Sequence, residues 1–276
     1  MRRAIPLLMF FFVAGLSSGI RTSEASERNL TVILDSGHGG VDHGGSFVYN
    51  GKRVPEDAYM YDIALRIEEL ADANGWKTFF TVRPRTEVSI SNSGKEIILP
   101  RRSDMVYNLP GRPVTVFAGF PEKPGVKLRL ETVYGVLRLA TTTKGETTWI
   151  SLHFDSGPQG FSGAKIYTTP DLKNHPFVQY LSRAFTDAGL GPRRKGVRES
   201  PIDTSQKFIV LVEGTVRPRV LIEFGNFKDE RDRMLLLSHK GRQKYAEIVA
   251  SALKKFMQED RTGGVTARSS QKQKQR

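Results

Sequence analysis

The 276-residue chain contains no cysteine. Disulfides, thiolate metal sites, a cysteine nucleophile and lipid attachment at cysteine are therefore excluded. Any metal must be held by His, Asp or Glu. The chain also lacks an apolar run of about 18 residues, which excludes a multi-span membrane protein. Histidine is scarce, with five copies, so each can be weighed separately. Apolar residues make up 38% and Phe occurs 16 times. That content excludes a wholly disordered chain. The length suits one substantial domain, or two small ones of roughly 100–200 residues each.

Acidic residues are outnumbered, 29 against 42 Lys and Arg, for a net charge of +13. Much of the excess sits at the ends. A basic surface suits nucleic acid, anionic membranes or anionic cell-wall polymers, and charge alone does not choose among them. Arg2 and Arg3 precede an apolar stretch, Ala4 to Leu16, of signal-peptide length. Ser23-Glu24-Ala25 resembles a small-x-small cleavage site, and Ser17-Ser18-Gly19 is an earlier competitor. Residues 1–25 are read as a signal peptide; the competing reading is a retained anchor helix, for which the stretch is short. A periplasmic or secreted protein follows, with no stable membrane insertion after cleavage and no nucleic-acid partner. At the other end, Arg261, Arg268, Lys272, Lys274 and Arg276 occur without an acid. Residues 261–276 are expected to be a disordered basic tail. Their charge is not interleaved with aromatics for base stacking.

Between the ends, apolar patterning predicts one α/β domain over about 28–258. Leu30 to Leu34 reads as a buried strand, Asp57 to Ala73 as an amphipathic helix ended by Gly75, and Lys77 to Val82 as a strand. Strand, helix, strand implies a βαβ unit and a largely parallel sheet. From about 84 to 127, Pro and Gly recur among short β-like runs at Lys95–Leu99 and Pro113–Phe117. This is read as an inserted hairpin or loop region. Leu130 to Ala140 is predicted helical, Thr148–Leu152 and Ala164–Thr168 strands, Pro176–Ala188 a helix and Arg219–Phe224 a strand. Phe208–Val212 fits helix or strand. Tyr245 to Phe256 marks a closing helix.

A glycine cluster, Gly37-His38-Gly39-Gly40-Val41-Asp42-His43-Gly44-Gly45, follows the first strand. It is neither a P-loop, since Ser46 rather than Lys follows Gly45, nor a dinucleotide fingerprint, since Asp42 stands where the third glycine belongs. What remains is His38 on a side-chain-poor turn at the edge where open α/β sheets bind ligands. Glu56 begins the first helix, His153 follows the strand TWISL, and Glu223 lies inside the apolar strand RVLIEF. Each alone has a bland reading: a structural His, a helix-dipole acid, an acid paired with Arg219. Together they suggest a metal hydrolase. Two imidazoles and a carboxylate form a common catalytic zinc set, and a second carboxylate can move the proton. His43, His175 and His239 lack this placement and are assigned surface roles, although His43 can line the same cleft.

These residues resemble those of the zinc-dependent N-acetylmuramoyl-L-alanine amidases, the Amidase_3 family. Leu34-Asp35-Ser36-Gly37-His38-Gly39-Gly40 is similar to the family's opening motif. Glu56 stands before Asp62-Ile63-Ala64-Leu65-Arg66 as the family's ligand Glu stands before its helix. Ile150-Ser151-Leu152-His153 resembles the strand that ends in the second His, and Val220 to Phe227 the terminal motif with the catalytic Glu. The resemblance runs from about Asn29 to Met257, with a gap over the insertion. It implies one α/β domain around a mixed, largely parallel sheet of about six strands. It also implies one Zn²⁺ on His38, Glu56 and His153, Glu223 as acid/base, and peptidoglycan as substrate, cut between the lactyl group of N-acetylmuramic acid and L-alanine. A protein activator is an open partner class. Two positions depart from the family pattern: Ser36 replaces the usual Pro, and Phe154-Asp155-Ser156 replaces a small residue, Asn and Ala. Two rivals differ in chemistry: another secreted zinc peptidase or amidohydrolase, and a non-catalytic peptidoglycan-binding protein of the same fold.

Overall fold

The computed structural model describes residues 29–40, 42–85, 98–100, 104–108, 114–115, 123–140 and 145–273. The proposed signal segment lies outside them. In chain order the elements are β1 (Asn29–Asp35), β2 (Ser46–Tyr49), β3 (Lys52–Pro55), α1 (Glu56–Asp72), β4 (Lys77–Phe80), β5 (Val82–Pro84), β6 (Met105–Tyr107) and β7 (Val114–Thr115). Then come α2 (Lys123–Ala140), β8 (Gly145–Asp155), β9 (Phe161–Ser162), β10 (Lys165–Tyr167), α3 (Pro176–Asp187), β11 (Arg193–Arg194), β12 (Val197–Arg198) and β13 (Ile202–Asp203). The chain closes with α4 (Ile209–Val212), β14 (Arg219–Asn226), α5 (Glu230–Leu237) and α6 (His239–Gln273).

The main sheet has six strands in the order β13-β10-β14-β8-β1-β4. β4, β1, β8 and β14 run parallel, and β10 is antiparallel to β14. This is the mixed, largely parallel sheet implied by the sequence. β1 is buried from Leu30 to Asp35 because both of its faces are covered. Alternation along the strands divides their side chains between two cores. Leu30, Val32, Leu34, Ile150, Leu152, Val220 and Ile222 pack with α1, α3 and α6. Ile33, Trp149, Tyr167 and Leu221 pack on the other face, with Leu130, Val133 and Val136 of α2. From β1 the chain reaches β4 through α1 and, further on, β8 through α2. β1 therefore marks the point where the strand order reverses, which is where open α/β sheets form a crevice.

Element boundaries differ from expectation in three places. The strand predicted over Lys77–Val82 breaks at Thr81, whose N–H donates to Leu34 O at 3.0 Å and whose hydroxyl donates to Asp35 Oδ1 at 2.6 Å. Beyond the break β5 joins a separate three-stranded sheet with β6 and β7. Val114–Thr115 of the second expected β-like run is β7, whereas residues 95–97 of the first lie outside the described residues. Secondly, α2 starts at Lys123, inside the stretch read as insertion, because Pro is tolerated in a first helical turn, where its missing N–H is an orphan anyway. Thirdly, α6 continues to Gln273 through most of the tail expected to be disordered. The last buried apolar residue of α6 is Met257; the extension beyond it passes through Gly263 and Gly264, weak helix formers that mark no helix in the sequence. Phe208–Val212, open between helix and strand, contains the short helix α4.

Candidate metal centre

Three of the four singled-out residues converge where the C-terminal ends of β1 and β8 meet the start of α1. Ligand atoms of His38, Glu56 and His153 all lie within 4.8 Å of one another. His38 Nε2 is 3.5 Å, and His153 Nδ1 3.2 Å, from Glu56 Oε1. The two imidazoles meet edge to face, with centroids 5.1 Å apart. Glu56, the first residue of α1, is buried. Its Oε2 accepts the Gly45 N–H at 2.7 Å, and its Oε1 accepts the Phe154 N–H at 2.9 Å. The carboxylate therefore points across to the site and is fixed by loop and strand, rather than serving only the helix dipole.

The glycine cluster makes room for these side chains. Gly37 and Gly44 have φ of +69° and +65°, a region open to glycine at little cost. A Cβ on Gly37 would stand 2.6 Å from His153 Cε1, and one on Gly44 2.5 Å from His38 Cδ2 and 2.6 Å from Glu56 Oε2. The loop backbone thus lies directly against both rings.

Behind each ring is a carboxylate. His38 Nδ1 is 2.9 Å from Asp42 Oδ2, so an Nδ1–H donated there leaves Nε2 free to face Glu56 and His153. His153 Nε2 is 3.2 Å from Ser151 Oγ, which donates to Asp35 Oδ2 at 2.7 Å. Asp35 is fully buried and also accepts from Thr81. Arg129, reaching down from α2, lies 3.8 Å from Asp35 Oδ1 and 4.0 Å from Asp42 Oδ2. An unpaired guanidinium here would lose several kcal/mol of solvation; the two carboxylates offset that cost.

The charges follow this arrangement. Burial works to raise the pKa of Glu56, but His38 and His153 outweigh it and hold the carboxyl down at about 2. Asp42 is likewise held at about 2, with burial outweighed by its hydrogen bond to His38. Burial of His38 favours the neutral ring, yet Glu56 and Asp42 raise its pKa above the usual imidazole value. Asp35 is lowered against its burial, chiefly by Arg129. A cluster in which buried carboxylates stay ionised beside two imidazoles is an electron-rich pocket suited to a cation.

The fourth singled-out residue, Glu223, lies on β14. It is directly opposite His153 in the β14–β8 register and opposite Lys165 in the β14–β10 register. Cross-strand neighbours share a face, so Glu223 lies beside His153 on the face that α2 covers. The Lys165 Nζ pairs with Asp203 Oδ2 at 2.8 Å. Arg219, an alternative partner for the strand acid, donates to the backbone carbonyls of Leu211 and Val216 at 2.5 and 3.2 Å. The other histidines stay outside the cluster of ligand atoms and are half-buried rather than purely superficial. His43 Nδ1 is 2.5 Å from Gly44 O, His175 caps α3, and His239 meets Arg66. The cause is local: each ring has a neighbouring backbone or guanidinium partner to satisfy it. Phe154, a departure from the family pattern, turns into the core and packs against Phe227 with centroids 4.8 Å apart.

A model of the N-acetylmuramoyl-L-alanine amidase family, Amidase_3, matches residues 32–255. The chain belongs to this family. An uncharacterized cell wall amidase of Bacillus anthracis is 27% identical over 232 residues, covering 81% of this chain and 34% of that protein. The chain thus spans about a third of the length of that relative. The fold is that of solved amidases. Ami1 of Mycobacterium abscessus superposes with a TM-score of 0.55 at 18% identity, over 83% of this chain and 99% of that one. CwlD of Clostridioides difficile, solved in complex with the GerS lipoprotein, gives 0.56 at 18% identity over the same shares. Among the described residues, no helix is long and apolar enough to cross a membrane.

Asp35, Asp42 and Ser151 stand within the quoted motifs, yet their supporting part is not evident from composition. The signal for Ser151 is its position two residues before His153 on a strand, which puts both side chains on one face. For Asp42 it is the carboxylate four residues after a ligand-type histidine. Arg129 has no local signal at all, because only the packing of α2 brings it to the site.

Proposed function

We propose that the protein is a zinc-dependent N-acetylmuramoyl-L-alanine amidase. His38, Glu56 and His153 would hold one Zn²⁺, and Glu223 would act as general acid/base. The observation that carries the reading is the convergence of three ligand atoms, all within 4.8 Å of one another and two of them close to Glu56 Oε1. Zinc bonds of about 2.0–2.2 Å in a tetrahedron put ligands roughly 3.3–3.6 Å apart. The distances from Glu56 Oε1 to His38 Nε2 and His153 Nδ1 are 3.5 and 3.2 Å. The donor set, two imidazoles and one carboxylate, is a common one for catalytic zinc, which keeps a fourth position open.

Zinc bound here supplies Lewis-acid polarisation of the substrate carbonyl and acidifies water. The chain's own residues do the rest. Glu223 accepts the proton of the attacking water at its carboxylate. It returns that proton to the nitrogen of L-alanine as the amide breaks. Asp42 and the Ser151–Asp35 pair keep the imidazoles in one tautomer and one orientation, so the ligand nitrogens need not reorganise. The substrate follows from the family: the amide between the lactyl group of N-acetylmuramic acid and L-alanine in peptidoglycan. The site of action is then outside the cytoplasm, periplasmic or secreted, in line with the signal-like start.

The test uses a defined muropeptide, N-acetylmuramoyl-L-alanyl-D-isoglutamine, with added zinc and with chelator. Zinc-dependent appearance of a dipeptide with a free L-alanine amine is expected. Zinc binding without that product, alongside cleavage of other amides, would move the protein to the other amidohydrolases. Zinc binding with no cleavage of muropeptide or polymer would leave the binding-protein reading.

A further inference from the structure

We propose that Arg129 is a positioning residue of the metal centre: its one buried guanidinium holds in place both carboxylates that orient the two ligand imidazoles. The inference rests on His38 and His153 being metal ligands, as read above.

Each imidazole has its own support, from a different part of the chain. His38 leans on Asp42, in the loop after β1. His153 leans through Ser151 on Asp35, at the end of β1. No hydrogen bond links Asp35 to Asp42 among those described; Arg129 is the cation between them, at 3.8 Å from one and 4.0 Å from the other. At these separations it acts as a shared charge rather than a bidentate hydrogen-bonding fork. Its own side chain is 8% exposed. The guanidinium also lies over the ring of Tyr107, 5.9 Å from its centroid. Tyr107 belongs to β6, in the small sheet of the inserted region. The insertion and α2 are thereby joined to the metal centre through one side chain. Without that charge, the buried Asp35 and the half-exposed Asp42 would face each other with less compensation, and each would be freer to release its imidazole.

The experiment measures the zinc dissociation constant of the purified protein by competition with a chromophoric chelator. Wild type, Arg129→Met and Arg129→Lys are compared, with melting of the metal-free forms as a control. Removing an outer support of a metal site costs about 10–100-fold in affinity. We expect Arg129→Met to weaken zinc by about tenfold, the lower end of that range. Arg129→Lys, which keeps the charge, should stay near wild type. A residue that only packs α2 would lower the melting temperature and leave the constant of the folded protein unchanged. That result overturns the proposal, as does an Arg129→Lys protein that loses as much affinity as Arg129→Met. If Arg129→Met does not fold, Arg129→Gln, which also removes the charge, Asp42→Asn and their double variant replace it. Non-additive losses support the shared charge, and additive ones contradict it. A wild-type protein that fails to bind zinc would defeat the metal reading itself, which is a separate outcome.

Discussion

Glu223 lies directly opposite His153 in the register of two parallel strands, β14 and β8. The pairing puts the two residues side by side on one face of the sheet, and Glu223 is not among the clustered ligand residues. A base held next to a metal, rather than on it, can move a proton between water and a leaving nitrogen.

Glu223→Gln keeps the shape of the side chain and removes the proton acceptor. General acid–base groups contribute typically 10²–10⁴-fold, so kcat should fall by about that factor. Zinc content, measured by atomic absorption, should stay at one per chain. A variant with near-normal turnover would remove Glu223 from the proposed mechanism.

Ser151→Ala cuts the link from His153 Nε2 to Asp35. Zinc affinity should drop by about 10–100-fold, the usual cost of losing an outer hydrogen bond to a metal-ligating His. Titration of the metal-free protein reads this directly, and an unchanged affinity contradicts the orienting role of Ser151.

Gly44→Ala places a Cβ 2.5 Å from His38 and 2.6 Å from Glu56, at a φ of +65°. Strain of this kind costs about 1–3 kcal/mol. The clash falls on two proposed ligands, so zinc binding should suffer more than the melting temperature of the metal-free protein. Gly75→Ala also has positive φ but meets nothing within 4 Å, and should cost stability alone. Equal zinc affinities in the two variants would contradict the account of the loop.

Asp232 is the acid for a pH test away from the metal. Burial pushes its pKa up from 3.8 to about 6, against the N–H bonds it accepts from Gly163 and Asn226. The native state then binds more protons than the unfolded chain between these values. Stability from this group is complete below pH 3.8 and is lost as pH rises through about 6. Asp232→Asn stays neutral and keeps an acceptor oxygen. Its melting temperature relative to wild type should therefore climb between pH 4 and pH 7. A constant difference across that range would contradict the buried-acid account.

The parts legible in the sequence are those set by local pattern. The strand LTVIL, the stripe Met60-Ile63-Ala64-Ile67 and the run RVLIEF each carry their own period, and all three appear as elements. His38, Glu56, His153 and Glu223 stand out because polar groups at strand ends and helix starts interrupt apolar runs. The rest depends on tertiary contact. β5, β6 and β7 are two or three residues long, too short to show a period. The early start of α2 is masked by Pro124 and Gly125, which read as breakers. Arg129 meets Asp35 and Asp42 from far along the chain, and no spacing announces such a contact.

The central claim is best tested on peptidoglycan itself. Purified sacculi would be digested with the protein, with added zinc and with chelator, and the soluble products weighed by mass spectrometry. The account predicts zinc-dependent release of stem peptides beginning at L-alanine, with the glycan strands left whole. Fragments cut only within the peptides, or glycan cleavage, would contradict it.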